Sequence, residues 1–230
     1  MPKETKMNRE ERGIMVGMIL GDGCLNVRQI KGTTPYIKSE MRIVHSYRQI
    51  DYLNYKAELV RKILGGKHTV SIYNHVIPKL GKTYRMCGFS KSHKCFKALK
   101  KITHREGKKY FSSQALGMLT PHGIAIWYMD DGSAGRNHNK LNEISSVYST
   151  ISTYCTEIEA QNICDLFLEN YGIRFRIGYE RAKHSHIVRA NTKETHQFVD
   201  LIRPFIVPSM EYKISHVQDL KEHEHQTTLF

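Results

Sequence analysis

The sequence predicts an α+β fold made of two pseudo-symmetric halves, because one unusual motif occurs in it twice. An uncharged apolar run over residues 14–20 leads into Asp22-Gly23, and a second run over 124–129 leads into Asp130-Asp131-Gly132. A helix that is apolar on every side should be buried, and two such helices in one chain indicate an internal duplication. The periodicity around them repeats in one order, which is helix, strand, strand, helix, strand, strand, helix.

The elements of the first half have recognisable boundaries. Asn8 with Glu11 three residues later resembles a capping box at the start of the first helix, and Gly65-Gly66 ends the second helix. Over residues 36–44 apolar side chains alternate with charged ones, as in a strand with one exposed face. The predicted helices cover 8–21, 45–64 and 92–102, and the predicted strands cover 24–29, 36–44, 68–74 and 82–89.

The second half repeats this order at a nearly constant distance along the chain. Thr120 is a good N-cap, and Pro121 fits the first helical position because it needs no intrahelical N–H partner. Gly172 follows a helix end, as Gly65 does in the first half, and residues 133–142 form a polar segment rich in Asn and Gly. The predicted helices cover 121–129, 156–171 and 192–202, and the predicted strands cover 146–152, 174–181 and 184–190.

The chain of 230 residues is long enough for two halves of about 110 residues with a real core. We expect a first half over 8–107, a linker over 108–119, a second half over 120–217 and a C-terminal tail over 218–230. We also expect a monomer.

Composition points to an intracellular protein with a polyanionic partner. The net charge of +13 and the pI near 9.5 are typical of nucleic-acid binding. No apolar run approaches the roughly 20 residues that span a bilayer, and the first residues lack an apolar signal region. The expected location is the cytoplasm of a bacterium or phage-infected cell, or an organelle. Five cysteines without a Cys-x-x-Cys pair indicate neither a disulfide framework nor a zinc site.

Gly13, Gly17 and Gly21 share one face of the first helix, because they recur every four residues. Each glycine costs about 1 kcal/mol relative to alanine in a helix, so the row indicates that another backbone packs closely there. The second apolar helix is the obvious partner. Parallel packing of the two helices would bring Asp22 and Asp131 together at one end.

Two adjacent carboxylates repel each other, and a divalent cation resolves this repulsion. Mg²⁺ accepts a few carboxylate oxygens, keeps several waters and leaves room for phosphate oxygens. Such a site can activate water and stabilise the leaving oxygen in phosphodiester hydrolysis. We expect Mg²⁺ as the cofactor, with Mn²⁺ or Ca²⁺ able to replace it for binding. The basic strands could enter the DNA major groove, where each base pair has a distinct pattern of donors and acceptors.

The two motifs resemble the paired signature of the LAGLIDADG homing endonucleases, in their single-chain, intron-encoded form. The matching residues are Met15-Val-Gly-Met-Ile-Leu-Gly-Asp-Gly23 and Ile124-Ala-Ile-Trp-Tyr-Met-Asp-Asp-Gly132. Leu119-Thr-Pro, before the second motif, adds to the likeness. Pro208-Ser-Met-Glu-Tyr-Lys213 is similar to a segment that carries an active-site lysine in that family. The resemblance covers about residues 8 to 217.

The resemblance implies a site-specific DNA endonuclease with two αββαββα halves, whose sheets saddle the major groove of a long asymmetric site. Asp22 and Asp131 would hold the metal ions and each serve one strand, leaving short 3′ overhangs. Lys213 matches the lysine of the second half, and Lys108 is its expected counterpart, with Lys109 as the rival. Such a cation beside the scissile phosphate would stabilise developing charge or polarise the water.

Departures of this sequence from the family signature change what is expected of three positions. Ile126 replaces the tight-packing glycine of the second motif, so the helix interface is expected to be asymmetric. Asp130 and Gly21 occupy the place before each catalytic acid. We expect a backbone carbonyl of Gly21 to suffice as a metal ligand there, and Asp130 to be an auxiliary or solvated acid rather than a primary ligand.

Residues that face DNA are selected by alternation along the strands, and a one-residue slip would invert a strand. Their phosphate contacts would make binding strongly dependent on salt. The first half contributes Arg28, Lys38, Glu40, Arg42, Ser71, Tyr73, Tyr84 and Arg85. The second half contributes Arg136, Asn137, Lys140, Ser146, Tyr148, Thr150, Arg174, Arg176, Arg181 and Arg189.

Two other functions fit the same scaffold. An RNA-binding maturase would assist splicing of its host intron, which makes host intron RNA a candidate partner beside double-stranded DNA. A DNA-binding regulator would bind without cleaving. The presence of both Asp22 and Asp131 favours cleavage, because neither alternative needs both acids.

Overall fold

The computed structural model describes residues 7–31, 35–67, 69–77 and 81–217. The expected tail over 218–230 lies outside these residues. Two four-stranded antiparallel sheets flank a central helix pair, and this mixed architecture confirms the predicted α+β class. Within the described part of the chain, no helix is both long and apolar enough to cross a membrane.

The helices and strands follow the predicted order. The helices are α1 (Arg9–Leu20), α2 (Ile50–Leu64), α3 (Cys95–Thr103), α4 (Ser113–Leu116), α5 (Pro121–Asp131), α6 (Glu157–Tyr171) and α7 (Thr192–Ile202). The strands are β1 (Cys24–Ile30), β2 (Tyr36–Ser46), β3 (Ser71–Ile77), β4 (Lys82–Ser92), β5 (His104–Arg105), β6 (Lys108–Lys109), β7 (Gly132–His138), β8 (Ile144–Cys155), β9 (Arg176–Glu180) and β10 (Ser185–Ala190). The sheets have the orders β1-β2-β4-β3 and β7-β8-β10-β9, and β5 pairs with β6.

Local capping explains where the helices begin. Asn8 and Glu11 form the predicted capping box of α1, and Thr156 forms a second one with Glu159 at the start of α6. The Thr120 side chain accepts a hydrogen bond from the amide of Gly123, and Pro121 takes the first position of α5. These contacts satisfy amide groups that have no partner inside the helix.

Several predicted boundaries shift by two or three residues, as in the strand predicted over 68–74, which is β3, and the helix predicted over 92–102, which is α3. Three differences are larger. The polar segment after Gly132 begins with a regular strand, β7, because pairing with β8 overrides its weak strand propensity. The predicted helix over 45–64 starts later, since residues 45 and 46 extend β2 and a 3-10 turn, Tyr47–Gln49, precedes α2. The predicted linker contains a strand and a helix, β6 and α4.

The two central helices, α1 and α5, pack in parallel along a seam of glycines. Gly13 lies against Thr120, and a Cβ at Gly17 would clash with the carbonyl of Gly123. A Cβ at Gly123 would in turn clash with the carbonyl of Gly13. The glycine row therefore does mark a close backbone approach, as predicted. Gly123, one turn before Ile126, supplies the small residue that the second motif lacks.

Candidate active site

The seam ends where the two motifs place their acids. Asp22 lies beyond the last residue of α1, whereas Asp131 is the last residue of α5. The C-terminal end of a helix carries a partial negative charge, which disfavours carboxylates unless cations lie nearby. The structure supplies such cations from the hairpin β5-β6 and from the segment after α7.

Two lysines cover the helix ends in a similar way. The ammonium of Lys109 donates to the carbonyl of Gly21, and that of Lys213 donates to the carbonyl of Gly132 at 2.7 Å. Lys213 also lies 3.4 Å from the carbonyl oxygen of Asp130. Lys108 and Lys109 are both exposed and both line a cleft beside Asp22 and Asp131, but the contact with the Gly21 carbonyl is made by Lys109. The geometry therefore favours Lys109, the rival candidate, over Lys108 as the counterpart of Lys213.

Asp130 has a different environment from its neighbour Asp131. Its side chain is 0% exposed, and its Oδ2 accepts a hydrogen bond from the amide of Asp22 at 2.9 Å. Gly21 makes room for it, since a Cβ there would overlap the Asp130 carboxylate. The expectation that Asp130 could be a solvated acid is wrong, because the seam encloses its side chain.

The partner of Asp130 is a buried lysine that the sequence analysis did not select. Lys56, on α2, is fully buried, and its Nζ lies 2.5 Å from Oδ1 and 2.7 Å from Oδ2 of Asp130. It also lies 3.2 Å from Nε2 of His45. A signal was present in the sequence, because Lys56 stands three residues after Leu53 and four before Val60, both of which lie on the apolar stripe of α2.

His45 connects this network to Asp22. Its Nε2 accepts from Lys56, so in the neutral ring Nδ1 carries the proton, and Nδ1 lies 3.1 Å from Oε1 of Gln49 and 3.5 Å from Oδ2 of Asp22. Burial and the adjacent Lys56 ammonium lower the pKa of His45. Ligand atoms of Asp22, His45 and Asp130 lie within 4.8 Å of one another. The ammonium of Lys56 already serves this group as its cation, which disfavours a metal ion bound by all three residues.

The remaining acids have the electrostatics of a cation site. Burial and the negative charges of Asp130 and Asp22 raise the pKa of Asp131 to about 7, and Lys109 and Lys213 oppose this shift. Burial and Asp130 also raise the pKa of Asp22, whose side chain is 41% exposed. Burial lowers the pKa of Lys109 and of Lys213. Both acids therefore gain from an added positive charge, and both border a cleft of about 710 Å³ together with Lys108 and Lys109.

Seven of the first-half residues predicted to face DNA share one side of the first sheet. Met41 and Ile43 of β2 are buried on the side that the helices cover, so alternate residues lie on the opposite side, here called the open face. Arg42 donates to the hydroxyl of Tyr73 at 3.3 Å across this face. The predicted residues on the open face are Arg28, Lys38, Glu40, Arg42, Ser71, Tyr73 and Tyr84.

The second sheet has an equivalent open face. Arg189 donates to Thr150 at 3.3 Å, and its guanidinium carbon lies 4.6 Å from the centre of the Tyr148 ring. Thr150 is itself buried beneath these neighbours. The predicted residues on this face are Asn137, Ser146, Tyr148, Thr150, Arg176 and Arg189.

Two predicted arginines lie on the other side of their strands. Arg85 follows Tyr84, so it points the opposite way, and its guanidinium carbon lies 4.0 Å from the centre of the Tyr47 ring. Arg136 is paired with Val147, a core residue, which assigns it to the covered side. The expectation that Arg85 and Arg136 lie on the same face as Tyr84 and Asn137 is wrong, because adjacent residues of a strand point to opposite faces. Three further predicted residues lie outside the strands, at Lys140, Arg174 and Arg181.

Comparison with known proteins gives one family and a consistent set of relatives. The family model described as the LAGLIDADG DNA endonuclease family matches residues 12–198. A protein RecA of Mycolicibacterium flavescens is 26% identical over 215 residues, which are 91% of this chain and 47% of that protein. The chain thus spans about half the length of the RecA relatives. A probable intron-encoded endonuclease 1 of Wickerhamomyces canadensis is 25% identical over 219 residues, which are 91% of this chain and 86% of that protein.

Solved structures share the fold at low sequence identity. The homing endonuclease I-WcaI bound to its DNA recognition sequence gives a TM-score of 0.72 with 18% identity, over 91% of this chain and 88% of that chain. The LAGLIDADG homing endonuclease I-GzeII in complex with its DNA target gives a TM-score of 0.58 with 10% identity, over 98% of this chain and 94% of that chain.

Proposed function

The chain belongs to the LAGLIDADG DNA endonuclease family, and on that premise we propose that it is a site-specific homing endonuclease. It binds a long asymmetric double-stranded DNA site and hydrolyses one phosphodiester bond in each strand, leaving 3′ overhangs. The observation that carries this proposal is the seam end, where Asp22 and Asp131 border one cleft and Lys109 and Lys213 cover the adjoining helix ends.

The donor set fits a divalent cation. Asp22 and Asp131 offer carboxylate oxygens, which Mg²⁺ prefers. Burial and the negative charges of Asp130 and Asp22 raise the pKa of Asp131, and a bound cation would favour its ionised form. Asp130 fits less well as a direct ligand, because Lys56 and the Asp22 amide already engage its oxygens. A bound divalent cation would supply a water nucleophile of lowered pKa and would stabilise the leaving oxygen.

The acids and the lysines of this site have separate roles in the reaction. Asp22 and Asp131 hold the cation, and each acid contributes to the cleavage of one DNA strand. The ammonium groups of Lys109 and Lys213 lie at the ends of α1 and α5, next to the two acids, where they stabilise the negative charge that develops on the phosphate. We assign this role to Lys109 rather than to Lys108 because its ammonium reaches the carbonyl of Gly21.

DNA recognition is assigned to the two open faces. Arginine and lysine on them contact phosphates or guanine edges, and polar side chains such as Ser71 and Asn137 read other base edges. A two-stranded ribbon fits the width of the major groove, and both faces belong to one chain, which suits an asymmetric site and a monomer. The relatives that are named as intron-encoded suggest that the target is an intron insertion site.

The test is cleavage of DNA that spans the insertion site of the chain's own coding element. Wild-type protein with Mg²⁺ should cut both strands, whereas Asp22→Asn and Asp131→Asn should each slow cleavage more than about a hundredfold, as expected for groups that act on the transition state. Asp165→Asn, in an acid of α6 that contacts Gln161, is the matched control. Full activity of both active-site variants would refute the assignment.

A further inference from the structure

We propose that Lys56 is a positioning residue for the Asp22 side of the active site and acts through the carboxylate of Asp130. The inference rests on the proposed nuclease function, since it assigns Lys56 a part in the cleavage of one strand. One part of it can be tested without cleavage, namely the hydrogen bond between the Asp22 amide and Asp130.

The two catalytic acids are held by different backbones. Asp131 is the last residue of α5, so the helix itself fixes its position. α1 ends at Leu20, and Asp22 lies beyond it, where its amide donates to Oδ2 of Asp130 at 2.9 Å. The position of Asp22 therefore depends on a side chain from the other half of the molecule.

Lys56 fixes that side chain. Its ammonium contacts both oxygens of Asp130, at 2.5 and 2.7 Å, and both side chains are fully buried. A buried carboxylate that loses its cation is strongly destabilised, so without Lys56 the Asp130 carboxylate would leave its place. The Asp22 amide would then lose its acceptor.

The internal repeat shows that packing alone does not require this ion pair. The helices α2 and α6 both have 15 residues, and each is followed by a glycine. Lys56 is the seventh residue of α2, and the seventh residue of α6 is Ile163, which is also fully buried. The residue before the catalytic acid is Asp130 in one motif and Gly21 in the other. The lysine and the aspartate thus occur together, on the side where Asp22 needs an acceptor.

The first experiment compares Lys56→Met with Val60→Ala in the full chain. Val60 is buried on the same helix, one turn away, so its truncation controls for a general loss of stability. Exchange of the Asp22 amide, measured by NMR without metal, should become about tenfold faster in Lys56→Met. In Val60→Ala it should change no more than neighbouring amides of α1 do.

The second readout is cleavage resolved by strand. Lys56→Met should slow, by about tenfold to a hundredfold, the strand that Asp22→Asn affects more, in the range typical of residues that orient metal ligands. The other strand should change less than about threefold, so nicked DNA should accumulate. A general loss of stability would slow both strands equally, as expected for Val60→Ala.

A double variant covers the case in which Lys56→Met fails to fold. Lys56→Ile with Asp130→Gly copies the combination of Ile163 and Gly21 and removes the buried charges together, which is less damaging than leaving one unpaired. It should fold, lose protection of the Asp22 amide and slow the same strand. Unchanged exchange of the Asp22 amide, or equal slowing of both strands, would overturn the inference. If wild-type protein cuts no DNA, the nuclease proposal fails, while amide exchange still decides the role of Lys56.

Discussion

At the end of α1 the acid lies beyond the helix, whereas at the end of α5 the acid is the last helical residue. Each end has its own lysine, Lys109 or Lys213, on a backbone carbonyl. Among the contacts of the described residues, only the α1 end also contacts a buried ion pair, which joins Lys56 of its own half to Asp130 of the opposite half. The comparison indicates that a duplicated site need not be supported symmetrically, because each half can fix its acid by different means.

The largest expected effect concerns the seam that both ends share. Gly17→Ala should lower the free energy of unfolding by about 3 kcal/mol, because the added Cβ would clash with the Gly123 backbone, which cannot turn aside as a side chain could. Gly117→Ala, outside the seam, is the control and should cost clearly less, because the nearest atom to its Cβ would be the Ser113 carbonyl oxygen at 3.2 Å. Chemical denaturation measures both, and a change below about 0.5 kcal/mol for Gly17→Ala would contradict the close packing of α1 and α5.

The next prediction tests whether Lys109 and Lys213 have equivalent roles at the two helix ends. Lys109→Met and Lys213→Met should each reduce cleavage about tenfold to a hundredfold, because each removes a positive charge beside the developing negative charge. Lys108→Met should have less than about a threefold effect, since it is the ammonium of Lys109, not that of Lys108, that donates to the Gly21 carbonyl. Single-turnover rates on one DNA target check this order, and a larger loss for Lys108→Met than for Lys109→Met would reverse the assignment.

The pKa of Asp131 predicts a pH dependence of stability without metal. Its pKa is raised to about 7 in the folded chain, so between about pH 4 and pH 7 the folded state binds more protons at this residue than the unfolded state. The contribution of Asp131 to the free energy of unfolding must therefore fall as pH rises through this window. With allowance for solvent screening, Asp131→Asn should remove about 1.5 kcal/mol of this loss. Denaturation in EDTA at pH 5 and pH 8 measures it, and an equal slope in the variant and wild type would contradict the shift.

The smallest expected effect concerns DNA binding by two arginines, one on the open face and one on the covered side of the first sheet. Arg42→Ala should weaken DNA binding about fivefold and make it less dependent on salt, because one phosphate or base contact is lost. Arg85→Ala should leave the salt dependence of binding unchanged, since its guanidinium packs on Tyr47. Binding titrations at several salt concentrations check this pair, and equal slopes for the two variants would remove the distinction between the faces.

The sequence predicted the features that depend on local pattern. Two apolar runs, a glycine row and good caps were enough for the duplicated fold and the close approach of α1 and α5. The register of strands was less certain, because a slip of one residue reverses the face, and Arg85 and Arg136 were misplaced in this way. Lys56 was missed because its importance comes from a contact with Asp130, which only the folded chain brings near.

Under the proposed function, the adjacent acids of α5 have separate tasks, since Asp131 holds the cation and Asp130 holds Asp22. The most direct measurement is a crystal structure of the protein bound to its DNA target with Ca²⁺, in which anomalous scattering locates the ion. Carboxylate oxygens of Asp22 and Asp131 are expected at about 2.3–2.6 Å from calcium, with Asp130 still paired to Lys56. Calcium bound by Asp130, with Lys56 displaced, would contradict this division of tasks between Asp130 and Asp131.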